Sequence, residues 1–260
     1  MKIALTQMNI QWEEKEANLQ KGEQLVKVAS EQGADLIIFP EMSFTGYSMN
    51  VCKVGEEDPL TPDVVREWSA RYRIAIIFGA VTKQNHSGQW IGKNVLMMAT
   101  EGQIVARYEK LHPFSYQRED AFYERGNNLS MYQYKGIWFS FFICYDLRFP
   151  QIFQRVSDMA QVIVVIANWP KERVAHWEIL LQARAIENQT YCIGVNRTGE
   201  GAGILYQPSS MAFDPFGNWV KAESIQDLLF IEVDGSLSDL YKKEFPLKND
   251  RRTDYETLTY

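Results

Sequence analysis

Three side chains in this sequence are of the kinds that act on a carbonyl carbon, and each closes an apolar run: Ile38-Phe39-Pro40-Glu41, Tyr108-Glu109-Lys110 and Phe142-Ile143-Cys144. Taken singly, a glutamate after a strand is a solvated carboxylate, a lysine is surface charge and a lone cysteine is a small core residue. Taken together they supply what amide hydrolysis needs. A thiolate attacks well, but a free thiol is mostly protonated at neutral pH and needs a base or cation beside it. Glu41 would take the thiol proton and later activate water, and Lys110 would neutralise the oxyanion of the tetrahedral intermediate. The backbone N–H of Tyr145 is the natural second oxyanion donor.

Presenting three such groups at one place is a task for buried strands that end together. Ile3 to Met8 reads as a strand and Trp12 to Ser30 has helical spacing. Ala34 to Phe39 is apolar enough to be a strand buried on both faces, and Pro40, which lacks a ladder donor, ends it with Glu41 at the tip. A helix is predicted around Pro62 to Arg71, with strands at Ile74 to Thr82 and Asn94 to Thr100. The turn Glu101-Gly102 leads into a strand from Gln103 to Tyr108. Gly136 to Ile143 is a dense β-forming run that ends at Cys144. A helix over Pro150 to Met159, a strand over Val162 to Ala167, a helix over Ala175 to Asn188 and a strand over Tyr191 to Asn196 follow. Met211 to Phe213 enters a turn at Asp214-Pro215-Phe216-Gly217-Asn218.

The segments around the three residues resemble, in order, the signature blocks of the nitrilase superfamily of carbon–nitrogen hydrolases. They are Phe39-Pro40-Glu41 with Thr45-Gly46-Tyr47, then Tyr108-Glu109-Lys110-Leu111-His112-Pro113-Phe114, then Ile143-Cys144-Tyr145-Asp146-Leu147-Arg148-Phe149-Pro150. The likeness runs from Lys2 to about Asp234. It implies a four-layer α-β-β-α sandwich in the α/β class, a metal-free and cofactor-free active site, and a homodimer or larger homo-oligomer. It also puts the general base on Glu41, the oxyanion-stabilising cation on Lys110 and the thioester-forming nucleophile on Cys144. Many members carry a second glutamate between the lysine and the cysteine; counted back from Gly126, Glu119 sits at the family spacing, with Glu124 as the alternative. Ala167-Asn168-Trp169-Pro170 and the helix after it most resemble the omega-amidase branch, which implies 2-oxoglutaramate or 2-oxosuccinamate as substrate. A deaminated-glutathione amidase, an N-carbamoyl amidase and a non-catalytic binding subunit are the alternatives. Gln151 and Gln182 depart from the acidic and basic residues common at those positions.

On this reading Tyr145, Asn168, Trp169, Arg173 and Phe114 would bind substrate, with Arg173 a candidate for the remote carboxylate of an omega-amide, and Tyr47 another pocket wall. Arg148, Arg184 and Glu187 read as architectural ion-pair residues, His112 and His176 as neighbours rather than proton acceptors, and Cys52 and Cys192 as loop or core thiols. The 260 residues are read as one domain, 46% hydrophobic, with 241–260 a charged arm or subunit contact. A net charge of −6 offers no positive field for nucleic acid, and no apolar run approaches the roughly 20 residues of a membrane span. With no leader pattern at the amino terminus, the expected location is the cytoplasm. Three cysteines without paired short spacing give no zinc or disulfide framework.

Overall fold

The structure, a computed structural model, describes residues 1–252 and 254. Strict alternation of side chains along short apolar strands decides the layering. In β1 (Lys2–Thr6), β2 (Leu36–Ile38) and β3 (Ala75–His86), the residues Ile3, Leu5, Leu36, Ile38, Ala75 and Ile77 share a core with a second sheet. Their neighbours Ala4, Ile37, Ile76 and Phe78 point the other way, into a core closed by the helices α1 (Lys15–Glu31) and, after the single turn α2 (Val51–Val54), α3 (Leu60–Arg71). From α1 the buried positions Asn18, Gly22, Leu25, Val26 and Ala29 form one helical stripe.

The first sheet is completed by β4 (Gln89–Thr100), antiparallel to β3, and β5 (Gln103–Glu109), antiparallel to β4. The second contains β6 (Met131–Tyr134), β7 (Ile137–Ile143), β8 (Val162–Ala167), β9 (Tyr191–Asn196) and, after the hairpin β10 (Gly199–Gly201) and β11 (Ile204–Tyr206), β12 (Met211–Phe213). Its order is β12-β9-β8-β7-β6, with β7, β8 and β9 parallel. The helices α4 (Pro150–Val156) and α5 (Val174–Asn188) cover its far side; Gly194 lets β9 approach α5 where a Cβ would lie 2.3 Å from Leu181. The strands β13 (Glu223–Ile225) and β14 (Leu228–Glu232) return to the first sheet, whose order is β13-β14-β1-β2-β3-β4-β5. The result is the expected four-layer α-β-β-α sandwich. Among the described residues no helix is long and apolar enough to cross a membrane.

Two expectations change. The strands read as Ile74 to Thr82 and Asn94 to Thr100 are halves of a hairpin of two twelve-residue strands, joined at Ser87 and Gly88, both with positive φ. The outer half is polar and exposed, so no hydrophobic alternation announces it; it is held by ladder hydrogen bonds such as those around Lys83 and Gly92. Nor is the segment from Tyr241 a free arm. It ends the helix α6 (Gly235–Glu244) and docks on its own chain: Lys242 Nζ donates to the Ala160 carbonyl (2.7 Å), Lys248 pairs with Asp158 (3.0 Å) and Gln189 donates to the Phe245 carbonyl (2.8 Å). Residues 253 and 255–260 of the expected arm lie outside the described residues.

A glycine fixes where β3 meets the end of β2. A Cβ at Gly79 would lie 2.4 Å from the backbone N of Met42 and 3.0 Å from Glu41, so strand and loop pack backbone to backbone. Gly79→Ala is expected to cost about 1–3 kcal/mol of unfolding free energy through overpacking. It should also lower kcat at temperatures where the fold is intact, because the displaced backbone is that of Glu41. Urea melts and turnover on the same sample check both.

Candidate active site

Glu41 follows the Pro40 that stops β2. The turn is pinned by Ser43, whose Oγ donates to the Pro40 carbonyl (2.6 Å) and accepts from the Gly79 N–H (2.8 Å), and Met42 takes a left-handed conformation with φ 44°. The carboxylate is thereby turned fully inside. Its Oε1 accepts from Lys110 Nζ (2.9 Å) and Asn94 Nδ2 (2.7 Å), and its Oε2 from the backbone N–H of Asn168 (2.9 Å). Asn168 also donates from its side chain to the Glu41 carbonyl (2.6 Å).

Lys110 leaves the end of β5 with its backbone tied to Asn94 and Gly126, and its buried ammonium lies between two carboxylates. The second is Glu119, whose Oε2 is 2.8 Å and Oε1 3.1 Å from Nζ. Glu119 accepts further from the Phe114 N–H (2.6 Å), Asn94 Nδ2 (3.1 Å) and the Tyr47 hydroxyl (3.2 Å). Glu124, the alternative, is exposed and lies 3.8 Å from His86. Burial alone would drive the Lys110 pKa down, but Glu119 and Glu41 outweigh it and hold the amine well above its ordinary range. The group is an ammonium.

Cys144 is the left-handed corner (φ 47°) between β7 and a 3₁₀ turn over Cys144–Arg148. Such strain in a non-glycine residue marks a position the surroundings over-determine. Asp146, wholly buried, holds the corner: it accepts from the Ile143 N–H (3.1 Å), the Tyr108 hydroxyl (2.8 Å) and the backbone N–H of His112 (3.0 Å), with His112 Nδ1 at 2.8 Å. Nucleophile and lysine strands are thus joined through one carboxylate, and His112 is engaged there, stacked on Phe149. Tyr145 lies in the first turn, where backbone N–H groups have no intrahelical acceptor. Enclosure and the Glu41 carboxylate beside it push the Cys144 thiol well above its ordinary range, with Lys110 pulling the other way. The resting group is a thiol with a base at hand.

Cys144 and Lys110 open into a pocket of about 30 Å³, lined also by Tyr145, Asn168, Trp169, Arg173 and Phe114. All the residues expected from the sequence therefore meet at one place. Sequence reasoning missed Asn94, which bridges the two carboxylates; its only signal is a polar residue in the otherwise apolar inner half of β4. Tyr206 and Gln117 also line the pocket, and so does Arg148. The expectation that Arg148 is an ion-pair residue is corrected: no carboxylate of the described residues pairs with it, because its side chain runs toward the pocket over the Trp169 ring (5.0 Å). Arg184 and Glu187 do pair (3.0 Å), Cys52 is exposed and Cys192 is buried. Gln182 donates to the Gly217 carbonyl, a neutral contact in place of a charged one.

Comparison with known proteins identifies the family. The family model described as carbon-nitrogen hydrolase matches residues 2–242. The chain is 33% identical over 253 residues to the omega-amidase YafV of Yersinia enterocolitica, covering 96% of each chain. It is 30% identical over 258 residues to the 2-oxoglutaramate amidase of Bacillus subtilis (strain 168), covering 97% of this chain and 98% of the relative. Among solved structures, a CN-hydrolase superfamily protein from Xanthomonas campestris with an arsenic adduct in its active site superposes with a TM-score of 0.88 at 26% identity, covering 97% of each chain.

The charge balance at Cys144 gives a signed expectation. Glu41→Gln removes a negative charge and leaves Lys110, so the thiol pKa falls and thiolate appears at lower pH than in the native protein. Turnover should drop by about 10²–10⁴-fold in the same variant, because the proton acceptor is gone. Ultraviolet thiolate titration together with a rate assay reads both, and a thiol pKa that stays or rises contradicts the arrangement.

Proposed function

The chain belongs to the carbon–nitrogen hydrolase family, and from that premise we propose that it is an omega-amidase, hydrolysing the terminal amide of a short dicarboxylate such as 2-oxoglutaramate or 2-oxosuccinamate to carboxylate and ammonia. The observation that carries the reading is the convergence of Glu41, Lys110 and Cys144 at one pocket. Glu41 removes the thiol proton as sulfur attacks the amide carbon. Two of the three Lys110 N–H protons suffice for its two carboxylates, one shared by both oxygens of Glu119, which leaves a third for the oxyanion beside the Tyr145 N–H. Protonated Glu41 then gives its proton to the departing nitrogen, and the C–N bond breaks to leave a thioester on Cys144. Water, deprotonated by Glu41, attacks that thioester, and the thiol is reformed with release of the acid. Glu119 holds Lys110 and the Phe114 loop rather than exchanging protons.

What supports the omega-amide choice is the pair of relatives at 30% identity or above, together with a pocket wall that contains Arg173, half-buried over the Phe114 ring at 5.9 Å. Arginine suits the second carboxylate that distinguishes these substrates from simple amides. Retention of all three reactive residues counts against a non-catalytic binding subunit. The reading extends to a cytoplasmic homodimer. The dimer is supported by Ile179 and Ile186, seven residues apart on one face of α5, which stay exposed.

Cys144→Ala is expected to abolish ammonia release from 2-oxoglutaramate with the melting curve unchanged. The native enzyme mixed rapidly with substrate should carry the mass of the bound acyl group on Cys144. Near-normal turnover in the variant would overturn the assignment. Light scattering should give twice the chain mass, and substituting Ile179 and Ile186 by Lys should halve it.

A further inference from the structure

The reading of the site as an omega-amidase leaves one charged group in its wall without a task. Arg148 stands four residues after the nucleophile, on the same 3₁₀ turn, and its base is immobile: Asp146 is tied on one side, and the Leu147 carbonyl accepts from Arg184 (2.7 Å). The guanidinium lies 5.0 Å from the Trp169 ring, and Trp169 is itself fixed by Asn196, which accepts its backbone N–H (2.7 Å) and donates to its carbonyl (2.9 Å). An arginine held this firmly normally serves an acid, yet no carboxylate of the described residues pairs with it. The polar partner of its guanidinium is His176 Nδ1, at 3.3 Å. Since arginine has no acceptor, a hydrogen bond between the two requires Nδ1 to accept.

Resting on the amidase reading, we propose that Arg148 is the fixed arm of a carboxylate subsite at the end of the pocket away from the reacting amide, with Arg173 as its second arm and His176 as the positioning residue for Arg148. Both arginines lie over an aromatic wall, Trp169 and Phe114, and both face the pocket that contains Cys144. Apart from Lys110 they are its only charged lining groups, and neither pairs with an acid among the described residues. A monoanionic omega-amide entering with its amide at Cys144 therefore meets unspent positive charge at its other end. A neutral amide of the same length finds two cations with nothing to bind. The device reads charge at a distance from the bond that breaks, so its effect falls on binding.

Glutaramate and pentanamide isolate the effect, because they differ only in a terminal carboxylate against a methyl. The native enzyme should prefer glutaramate in kcat/KM. Arg148→Gln should lower that preference by about tenfold or more, mainly through KM, as expected for a lost charge-assisted hydrogen bond. His176→Ala should lower it in the same direction, and His176→Gln, whose amide oxygen accepts from a guanidinium, should restore it. A preference unaltered in Arg148→Gln, or an equal loss on both substrates, overturns the subsite while leaving the amidase assignment standing. Failure of the native enzyme to hydrolyse either amide, or any omega-amide, overturns the assignment itself and the subsite with it.

Discussion

An ammonium with almost no contact with solvent is the constraint on which this molecule turns. Burying Lys110, Glu41 and Glu119 costs several kcal/mol per ion, and the one cation lies between the two carboxylates. The cost is offset only when every remaining lone pair is met. That is why Asn94, Asn168, Tyr47 and the Phe114 N–H converge on the same two carboxylates. The first sheet supplies Glu41, Asn94 and Lys110, the second supplies Cys144 and Asn168, and the loop after Lys110 supplies Glu119. The sandwich is the frame that brings these tips together.

Two kinds of order meet at the pocket. Its floor is a network of hydrogen bonds and ion pairs to two buried carboxylates, where small displacements leave charges unpaired. Its wall is aromatic and cationic, built from side chains with spare bonding capacity. Chemistry belongs to the floor and recognition to the wall, so related chains can keep one and vary the other. The residues between, Asn168 and Trp169, are adjacent in sequence and serve one each: Asn168 binds the Glu41 carboxylate, and Trp169 backs Arg148.

The sequence exposes the floor better than the wall, for physical reasons. Glu41, Lys110 and Cys144 are legible because each interrupts an apolar strand, and strand ends in α/β folds gather at one edge. The four layers follow from period-two alternation once the strands are paired, although the family likeness was needed to arrange them. Asn94 is hidden because a single polar residue in a strand says nothing about which chain lies opposite. The left-handed corner at Cys144 is invisible because cysteine has no preference for that region, and Asp146, which enforces it, reads as one more turn residue. Arg148 was misread because an arginine near other charges suggests an ion pair, whereas its use depends on the direction of a long side chain that the local sequence does not set.

The reach of the central network along the chain bears on how the protein comes into being. Lys110 and Glu41 are 69 residues apart, and Asn168 and Glu41 are 127 apart. Contacts of such separation form slowly, since long loops must close before any pairing rewards them. A chain with only one sheet assembled would hold Glu41 without Asn168, or Lys110 near the surface as an ordinary hydrated amine. A half-formed intermediate therefore has neither a desolvated base nor a nucleophile to serve, and competence arrives in one step, when the second sheet docks on the first.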